Sequence, residues 1–379
     1  MTLAVPRIAV LDSSTLGNVS RDYWSREDEA RDKAHRFLAE LMARGVFIAF
    51  TMTHITELLA HDNKSIVRDR LKFLSRIQLI AWLRPYRRTW FPGSIFELLT
   101  RELHAAVHGS VCSWHDIIQE VRPDLWETGT GSEMFVEDDQ FWSAIRDESR
   151  RQHEHEIFVA SVARTRPIGK TDLRLGDLPK LPERPKEAWA NYTQRLAREM
   201  KRQLERHGDR RLRGVDAIAS DFAGSTLKDM LEINELGGDF TRRILEFNGI
   251  PQELVGPETT VSEVGELAIY ANRLKMLGQN LNPPLHVDML DVPPESLPSY
   301  VVERRLSSRQ DKTDRVSGSD LGDSFLAPLV LYGDGVEVDK RTYHHLEAIR
   351  RADTKLADVM HPFFRSPDYL EILQHFQVE

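Results

Sequence analysis

Short apolar runs alternate with amphipathic segments in the N-terminal part of the chain. The runs "RIAVLD" (7–12), "VFIAF" (46–50) and "QLIAWL" (78–83) have the length and apolar character of buried strands. Between the first two, "REDEARDKAHRFLAELMARG" (26–45) places Ala, Phe and Leu side chains at helical spacing and ends at Gly45. The alternation of strands and helices predicts an α/β fold with a mostly parallel sheet.

Helical periodicity replaces this alternation from residue 87 to residue 296. The segments 94–108, 187–207, 226–247 and 261–278 repeat apolar residues with a period of 3.6. No repeat of fixed length and no low-complexity tract interrupts them. We therefore predict a mainly α-helical region here.

The mixed pattern returns near the C-terminus. A helix is predicted over 319–331, a strand over "GVEVD" (335–339) and a helix over "RTYHHLEAIRR" (341–351). A single strand must join a sheet to satisfy its backbone hydrogen bonds. An alternative organisation, three consecutive units, would leave this strand without one.

We therefore predict one α/β domain that is divided by a helical insertion. Its N-terminal part comprises residues 1–86 and its C-terminal part comprises residues 297–379. The insertion comprises residues 87–296. The expected architecture is three-layer α/β/α, with the last strand returning to the N-terminal sheet.

Composition places the chain among ordinary globular proteins, with 41% hydrophobic and 29% charged residues. The single cysteine, Cys112, excludes a disulfide framework and a multi-cysteine zinc site. Together with the lack of a recognisable signal peptide, it predicts a cytoplasmic protein. No apolar run approaches the roughly 20 residues of a membrane helix, so no membrane association is expected. The net charge of −8 argues against binding nucleic acid by overall attraction, but it permits a local basic groove.

Acidic residues recur at the predicted strand ends. Asp12 ends the first strand, Asp339 ends the last, and Glu57 lies in the helix after the second. Asp320 and Asp323 open the predicted helix before the last strand, one turn apart, where like charges repel. Because functional side chains of parallel sheets collect at the carboxyl ends of strands, we expect these carboxylates to converge.

A divalent cation would relieve the repulsion among such carboxylates. Mg²⁺ and Mn²⁺ prefer oxygen ligands, and either ion can activate water and offset charge on a phosphate group. A simpler interpretation exists for each residue. Asp12 and Asp339 could be turn residues, Glu57 a surface residue, Asp320 a helix cap and Asp323 a partner of the helix dipole. It is their shared placement at consecutive strand ends that favours a metal site.

The three segments that carry these residues resemble the PIN-domain nuclease family. They are "RIAVLD", "FTMTHITELLAH" and "GSDLGDSFLAPLVLYGDGVEVDKRT". The resemblance covers about 85 N-terminal and 80 C-terminal residues and does not reach the middle of the chain. Two features depart from the family pattern: "VDK" stands where "TD" or "ND" is common, and the insertion separates carboxylates that are closer in sequence in most members.

The resemblance implies residue roles and an activity. Asp12, Glu57, Asp323 and Asp339 correspond to the family's catalytic metal ligands, and Asp320 corresponds to an additional acidic position in many members. Metal-dependent phosphodiester hydrolysis is therefore expected, with Mg²⁺ or Mn²⁺ as cofactor and RNA ahead of DNA as substrate. The alternatives are a DNA nuclease acting on flaps or single strands, and a non-catalytic adaptor that keeps the fold.

Basic residues near the acidic cluster are candidates for nucleic-acid binding. They are Arg304, Arg305 and Arg309 before the cluster, and Lys340 and Arg341 after the last strand. The insertion is a candidate binding region for RNA or a protein partner, and a homo-oligomer is left open. A competing metal motif, "QHEHEIF" (152–158), lacks the HExxH spacing that puts two histidines on one helix face.

Overall fold

The computed structural model describes residues 6–87, 92–109, 113–135, 138–163, 173–180, 186–235, 239–310 and 324–377. By contacts between residues, the chain forms two compact units. The first, the sheet unit, takes in the described residues of 1–155, 295–312 and 321–379; the second, the helical unit, takes in those of 156–294.

A six-stranded, mostly parallel sheet organises the sheet unit. Its strand order is β4-β3-β2-β1-β5-β6, and only the β3–β4 pair is antiparallel. The strands are β1 (Arg7–Val10), β2 (Val46–Phe50), β3 (Ile80–Leu83), β4 (Trp126–Gly129), β5 (Gly335–Glu337) and β6 (Phe363–Phe364).

Helices cover both faces of this sheet. They are α1 (Ser13–Tyr23), α2 (Asp28–Ala43), α3 (Met52–Leu59), α4 (Lys64–Leu74), α5 (Ile95–His108), α6 (Trp114–Leu125), α7 (Gly131–Met134), α13 (Pro298–Gln310), α14 (Lys340–Ala352) and α15 (Thr354–Val359), with α8 (Asp139–Ala163) crossing the unit boundary. Two 3₁₀ helices, Ala327–Leu331 and Glu371–Phe376, complete the unit.

Alternation along β1 shows how the core is divided. Ile8 and Val10 pack into a cluster formed with α5, α6, α13 and α14, whereas Ala9 and Leu11 pack into a cluster formed with α1 to α4. Successive side chains of a strand point to opposite faces, so a continuous apolar run is required where both faces are covered. The arrangement is compatible with three-layer α/β/α packing.

The helical unit is built from long amphipathic helices. Met200, Leu204 and Ala219 form a small core where two of them pack together. Its helices are the end of α8, α9 (Lys186–His207), α10 (Val215–Glu235), α11 (Phe240–Phe247) and α12 (Val261–Asn280), with 3₁₀ helices at Leu175–Lys180, Gln252–Leu254 and, at the boundary, Pro294–Ser296.

The predicted α/β class is confirmed, and the three N-terminal strands form where the apolar runs predict them. The late strand also joins the N-terminal sheet, since β5 pairs with β1 on one side and β6 on the other. Residues 95–129, which the sequence assigned to the insertion, contribute α5, α6 and β4 to the sheet unit.

The predicted helix over 319–331 differs from the structure in its described part. Residues 324–326 are α-helical, but Ala327–Leu331 is a 3₁₀ helix that begins with Pro328 in its first turn. Proline cannot donate a backbone hydrogen bond, which suits the start of a helix. Within the described ranges, none of the helices combines the length and the apolar character that a membrane crossing requires.

Candidate functional site

The strand order changes direction beside β1. From β1 the chain proceeds outward to β2 and β3 on one side, and returns much later to place β5 and β6 on the other. In open parallel sheets the crevice outside the carboxyl ends of two such strands is the usual position of a ligand site. A cavity of about 300 Å³ lies there. It is lined by Asp12, Ser14, Thr15, Asn18, Glu337, Val338, Asp339, Lys340, Arg365, Ser366, Pro367 and Tyr369.

Asp12 connects the end of β1 to the start of α1. Its backbone is extended, and its Oδ1 accepts a hydrogen bond of 2.6 Å from the backbone N–H of Ser14, which makes it the N-cap of α1. The simple turn interpretation of this residue therefore describes its local geometry. The cap also fixes the carboxylate at the wall of the cavity.

Asp339 plays the same part between β5 and α14. Its Oδ2 accepts a hydrogen bond of 3.0 Å from the backbone N–H of Arg341, and its Oδ1 accepts one of 2.7 Å from that of Thr342. Two capping aspartates on neighbouring strands thus face one cavity. The positive ends of the two helix dipoles help to hold these negative charges side by side.

Glu337 is a third carboxylate in the cavity, and the sequence reasoning missed it. Its side chain is buried, accepting a hydrogen bond of 2.8 Å from the Thr15 hydroxyl and one of 3.1 Å from the backbone N–H of Asp12. Burial, with a smaller contribution from the charge of Asp12, raises the pKa of Glu337 to about 7. The two hydrogen bonds act in the opposite direction.

The signal for Glu337 was present in "GVEVD". A strand with neighbours on both sides in a covered parallel sheet is expected to be apolar on both faces, so a glutamate between two valines is out of place. Val336 and Val338 pack into one core cluster, and alternation turns the intervening Glu337 to the other face.

His54 supports the backbone beside Asp12. Its Nδ1 accepts a hydrogen bond of 3.0 Å from the backbone N–H of Thr51, and its Nε2 lies 2.8 Å from the carbonyl oxygen of Leu11. Burial lowers the pKa of His54 to about 4, so at neutral pH the ring is uncharged. In that form Nε2–H donates to Leu11, which ties α3 to the end of β1.

Among the described residues, Asp12 and Asp339 are the predicted ligands that line the cavity. Glu57 lies half-buried in α3 and does not line the cavity. Asp320 and Asp323 lie outside the described residues, as do the side chains of the histidines in "QHEHEIF".

The basic residues named from sequence divide into two groups. Lys340 lines the cavity, and so does Arg365, which follows β6. Arg365 was not predicted, because a strand of two residues is too short to show a pattern in the sequence. On α13, Arg304 donates a hydrogen bond of 3.0 Å to Glu295 and Arg309 one of 3.4 Å to the Ala348 carbonyl oxygen. Arg305 lies 3.6 Å from Asp353.

Arg341, the last of the predicted basic residues, donates its backbone N–H to Asp339. Its side chain does not line the cavity. The predicted nucleic-acid contacts therefore separate into Lys340 at the cavity and four arginines elsewhere.

The donor chemistry of the cavity suits a hard divalent cation. Asp12, Glu337 and Asp339 offer carboxylate oxygens, the ligand type that Mg²⁺ and Mn²⁺ prefer. In the part of the chain that the structure describes, no group of three or more His, Cys, Asp and Glu side chains is arranged to hold a metal ion. Two of the five predicted ligands lie outside that part.

The cavity combines both signs of charge. Lys340 and Arg365 are exposed cations beside the two capping aspartates, so an anionic group can be bound next to the carboxylates. This arrangement suits phosphate chemistry, in which cations hold the substrate and carboxylates hold a metal.

Comparison of the chain with protein-family models, with curated proteins and with solved structures found no match.

Proposed function

We propose that the protein is a metal-dependent nuclease with a PIN-like fold, which hydrolyses phosphodiester bonds. The observation that carries the proposal is the convergence of Asp12, Glu337 and Asp339 on one cavity where the strand order changes direction. The order of the motifs in the chain, which resembles that of PIN-domain nucleases, supports the same activity.

Asp12 and Asp339 are the proposed metal ligands that line the cavity. The proposal retains Asp323 as an anchoring ligand, Glu57 as a ligand acting directly or through water, and Asp320 as a contributor to a second ion. The bound Mg²⁺ or Mn²⁺ would activate water and offset negative charge on the phosphate. No nucleophilic side chain is then required.

The protein's own groups position the substrate and the ligands. Lys340 and Arg365 bind the phosphate at the mouth of the cavity. Glu337 holds the Asp12 backbone and the Thr15 hydroxyl, and the neutral His54 holds Leu11, so the carboxylate of Asp12 is supported from two sides. Such support keeps a ligand in place before the substrate arrives.

RNA is the proposed substrate ahead of DNA, on the strength of the family resemblance. The test is incubation with labelled single-stranded RNA, single-stranded DNA and duplex DNA, each with Mn²⁺ or with EDTA. We expect cleavage of single-stranded RNA that EDTA abolishes. EDTA-sensitive cleavage of DNA alone would make the protein a DNA nuclease of the same fold.

A non-catalytic adaptor is the second candidate. The observation that favours it is that Asp12 and Asp339 both cap helices, a role that explains them without chemistry. The absence of EDTA-sensitive cleavage of all three substrates, by protein shown to be folded, would favour the adaptor over the nuclease.

A further inference from the structure

A second, larger cavity lies between α4 and the start of α8, within the sheet unit. Its volume is about 790 Å³, in the range of ligand sites, and we call it the α4–α8 groove. Val67 and Trp142 form part of its buried floor, and Lys64, Arg68 and Lys72 form one wall.

The wall is a row of like charges. Lys64, Arg68 and Lys72 are exposed and follow one another at intervals of four residues, so they share one face of α4, about 6 Å apart along the axis. Among the described residues none of the three side chains makes an ion pair or a hydrogen bond. Asp69, three residues before Lys72, forms no ion pair with it either.

This arrangement is unfavourable for the helix itself. Like charges four residues apart destabilise a helix, and Lys64 adds a positive charge to the first turn, where the helix dipole disfavours it. The first turn holds no acidic residue that would offset it. A polyanion that binds along this row offsets the repulsion between the cations and therefore stabilises the helix.

The other charged groups of the groove are already engaged. Arg146 is buried and donates hydrogen bonds to the carbonyl oxygens of His61 and Asp62, which anchors α8 to the loop before α4. Asp138 accepts hydrogen bonds from the backbone N–H groups of Gln140 and Phe141. The three cations of α4 therefore set the sign of the groove.

We propose that the α4–α8 groove binds the phosphate backbone of single-stranded nucleic acid through Lys64, Arg68 and Lys72. The choice of nucleic acid as the polyanion rests on the proposed function, whereas the cationic wall does not. Phe135 and Trp142, the aromatic residues that line the groove, are buried and offer no exposed ring on which a base could stack. Binding is therefore through the phosphate backbone and independent of base sequence. The chain's net charge of −8 makes this local patch, not overall attraction, the source of the affinity.

The test measures the affinity of the full chain for a fluorescent single-stranded oligonucleotide in EDTA. Fluorescence anisotropy gives this affinity at a series of salt concentrations. The groove variant is Lys64→Gln/Arg68→Gln/Lys72→Gln. Glutamine is a good helix former, and the change removes repulsion, so α4 stays folded. We expect the affinity at low salt to fall at least ~10-fold. The slope of log K against log salt is negative, and its magnitude should decrease by about 2, since each of the three single-strand contacts contributes ~0.7.

Two controls sharpen the result. Arg350→Gln/Arg351→Gln/Lys355→Gln removes the same charge elsewhere on the sheet unit and is expected to bind like the parent. Lys64→Arg/Arg68→Lys/Lys72→Arg keeps the charge and is expected to keep the affinity. Unchanged binding by the groove variant, or an equal loss in the first control, would overturn the proposal.

Cleavage and binding are separated by design. Because EDTA removes the metal, oligonucleotide binding can be measured even if the protein has no nuclease activity. Selective binding of polyglutamate instead of the oligonucleotide, lost in the groove variant, would identify an acidic peptide as the ligand and overturn the assignment to nucleic acid.

Discussion

At the scale of single residues, the candidate site is a set of carboxylates held by hydrogen bonds. The donors lie in the first turns of α1 and α14 and, for Glu337, also at the end of the neighbouring strand β1. Asp12 and Asp339 were predictable because each follows an apolar run that ends in a turn. Glu337 and Arg365 were missed, the first because it lies inside a strand and the second because β6 has only two residues. Strand-end patterns locate a site, but burial within the sheet decides which acids join it.

The role of Glu337 as a buried acceptor can be tested by substitution. Glu337→Ala leaves the Thr15 hydroxyl and the Asp12 backbone N–H without their acceptor, which we expect to lower the free energy of unfolding by about 1–3 kcal/mol. Glu337→Gln keeps an acceptor oxygen and should cost less. Urea unfolding in EDTA measures both, and equal costs would show that the acceptor does not matter.

A second buried acid, Glu102, predicts a pH dependence of stability away from the cavity. Its carboxylate accepts hydrogen bonds from the backbone N–H and hydroxyl of Ser299 and from the hydroxyl of Tyr332, the last at 2.7 Å. Burial raises the pKa of Glu102 from 4.5 to about 7, although these hydrogen bonds act to lower it.

Because the folded-state pKa is raised, the stability that Glu102 contributes is complete below pH ~4.5 and is lost as the pH rises through about 7. The loss should be on the order of 3 kcal/mol. Glu102→Gln, which cannot ionise, should show less decline than the parent between pH 5 and pH 8 in urea unfolding. The same decline in both proteins would assign the pH dependence to other groups.

At the scale of elements, capping explains why the strand-to-helix junctions are precise enough to hold a site. α1 and α14 begin at aspartates whose side chains accept backbone hydrogen bonds, and α3 begins with a capping box formed by Thr51 and His54. Gly45, after α2, adopts φ +64°, a left-handed conformation that favours glycine and ends the helix where the sequence predicted.

Substitutions of Asp339 can distinguish its contribution to folding, as a helix cap, from the contribution of its charge. Asparagine caps as well as aspartate, so Asp339→Asn should leave the free energy of unfolding nearly unchanged, whereas Asp339→Ala should lower it by about 1 kcal/mol. Chemical denaturation of the two variants measures the difference. A large loss in the asparagine variant would show that the charge itself is needed for folding.

Elements with a strong apolar pattern were predicted, and those without one were not. β1, β2 and β3 are apolar runs buried in the centre of the sheet. β4, "WETG", lies at the antiparallel edge with none of its four residues fully buried, so its sequence carries little sign of a strand. The local apolar pattern of a strand reflects how deeply its residues are buried. The residues of this edge strand are too exposed to produce such a pattern.

At the scale of the whole molecule, the sheet is completed by residues from the far end of the chain. The requirement that a lone strand find a sheet predicted that "GVEVD" returns to the N-terminal strands, and β5 pairs with β1 between Val10 and Val336. Pattern alone could not show that residues 95–129 also join the sheet unit, because helices that cover a sheet and helices of an insertion have the same periodicity.

Binding of a divalent ion to the folded state should raise the melting temperature. A ligand that binds only the native protein stabilises it by RT ln(1 + [L]/Kd), about 2.7 kcal/mol at a hundredfold excess over Kd. We expect Mn²⁺ to raise the melting temperature of the parent and to have a smaller effect on Asp12→Asn/Asp339→Asn. An equal rise in both proteins would place the ion elsewhere.

The most direct test of the nuclease proposal is the rate of Mn²⁺-dependent cleavage of single-stranded RNA by capping-aspartate variants. Asp12→Asn and Asp339→Asn keep their helix caps but remove the carboxylate charge. Asp239→Asn is the matched control, because Asp239 caps α11 and does not line the cavity. We predict a loss of at least ~100-fold in both cavity variants, comparable to removal of a catalytic group, and none in the control. Cleavage by both cavity variants at the rate of the parent would contradict the proposed metal site.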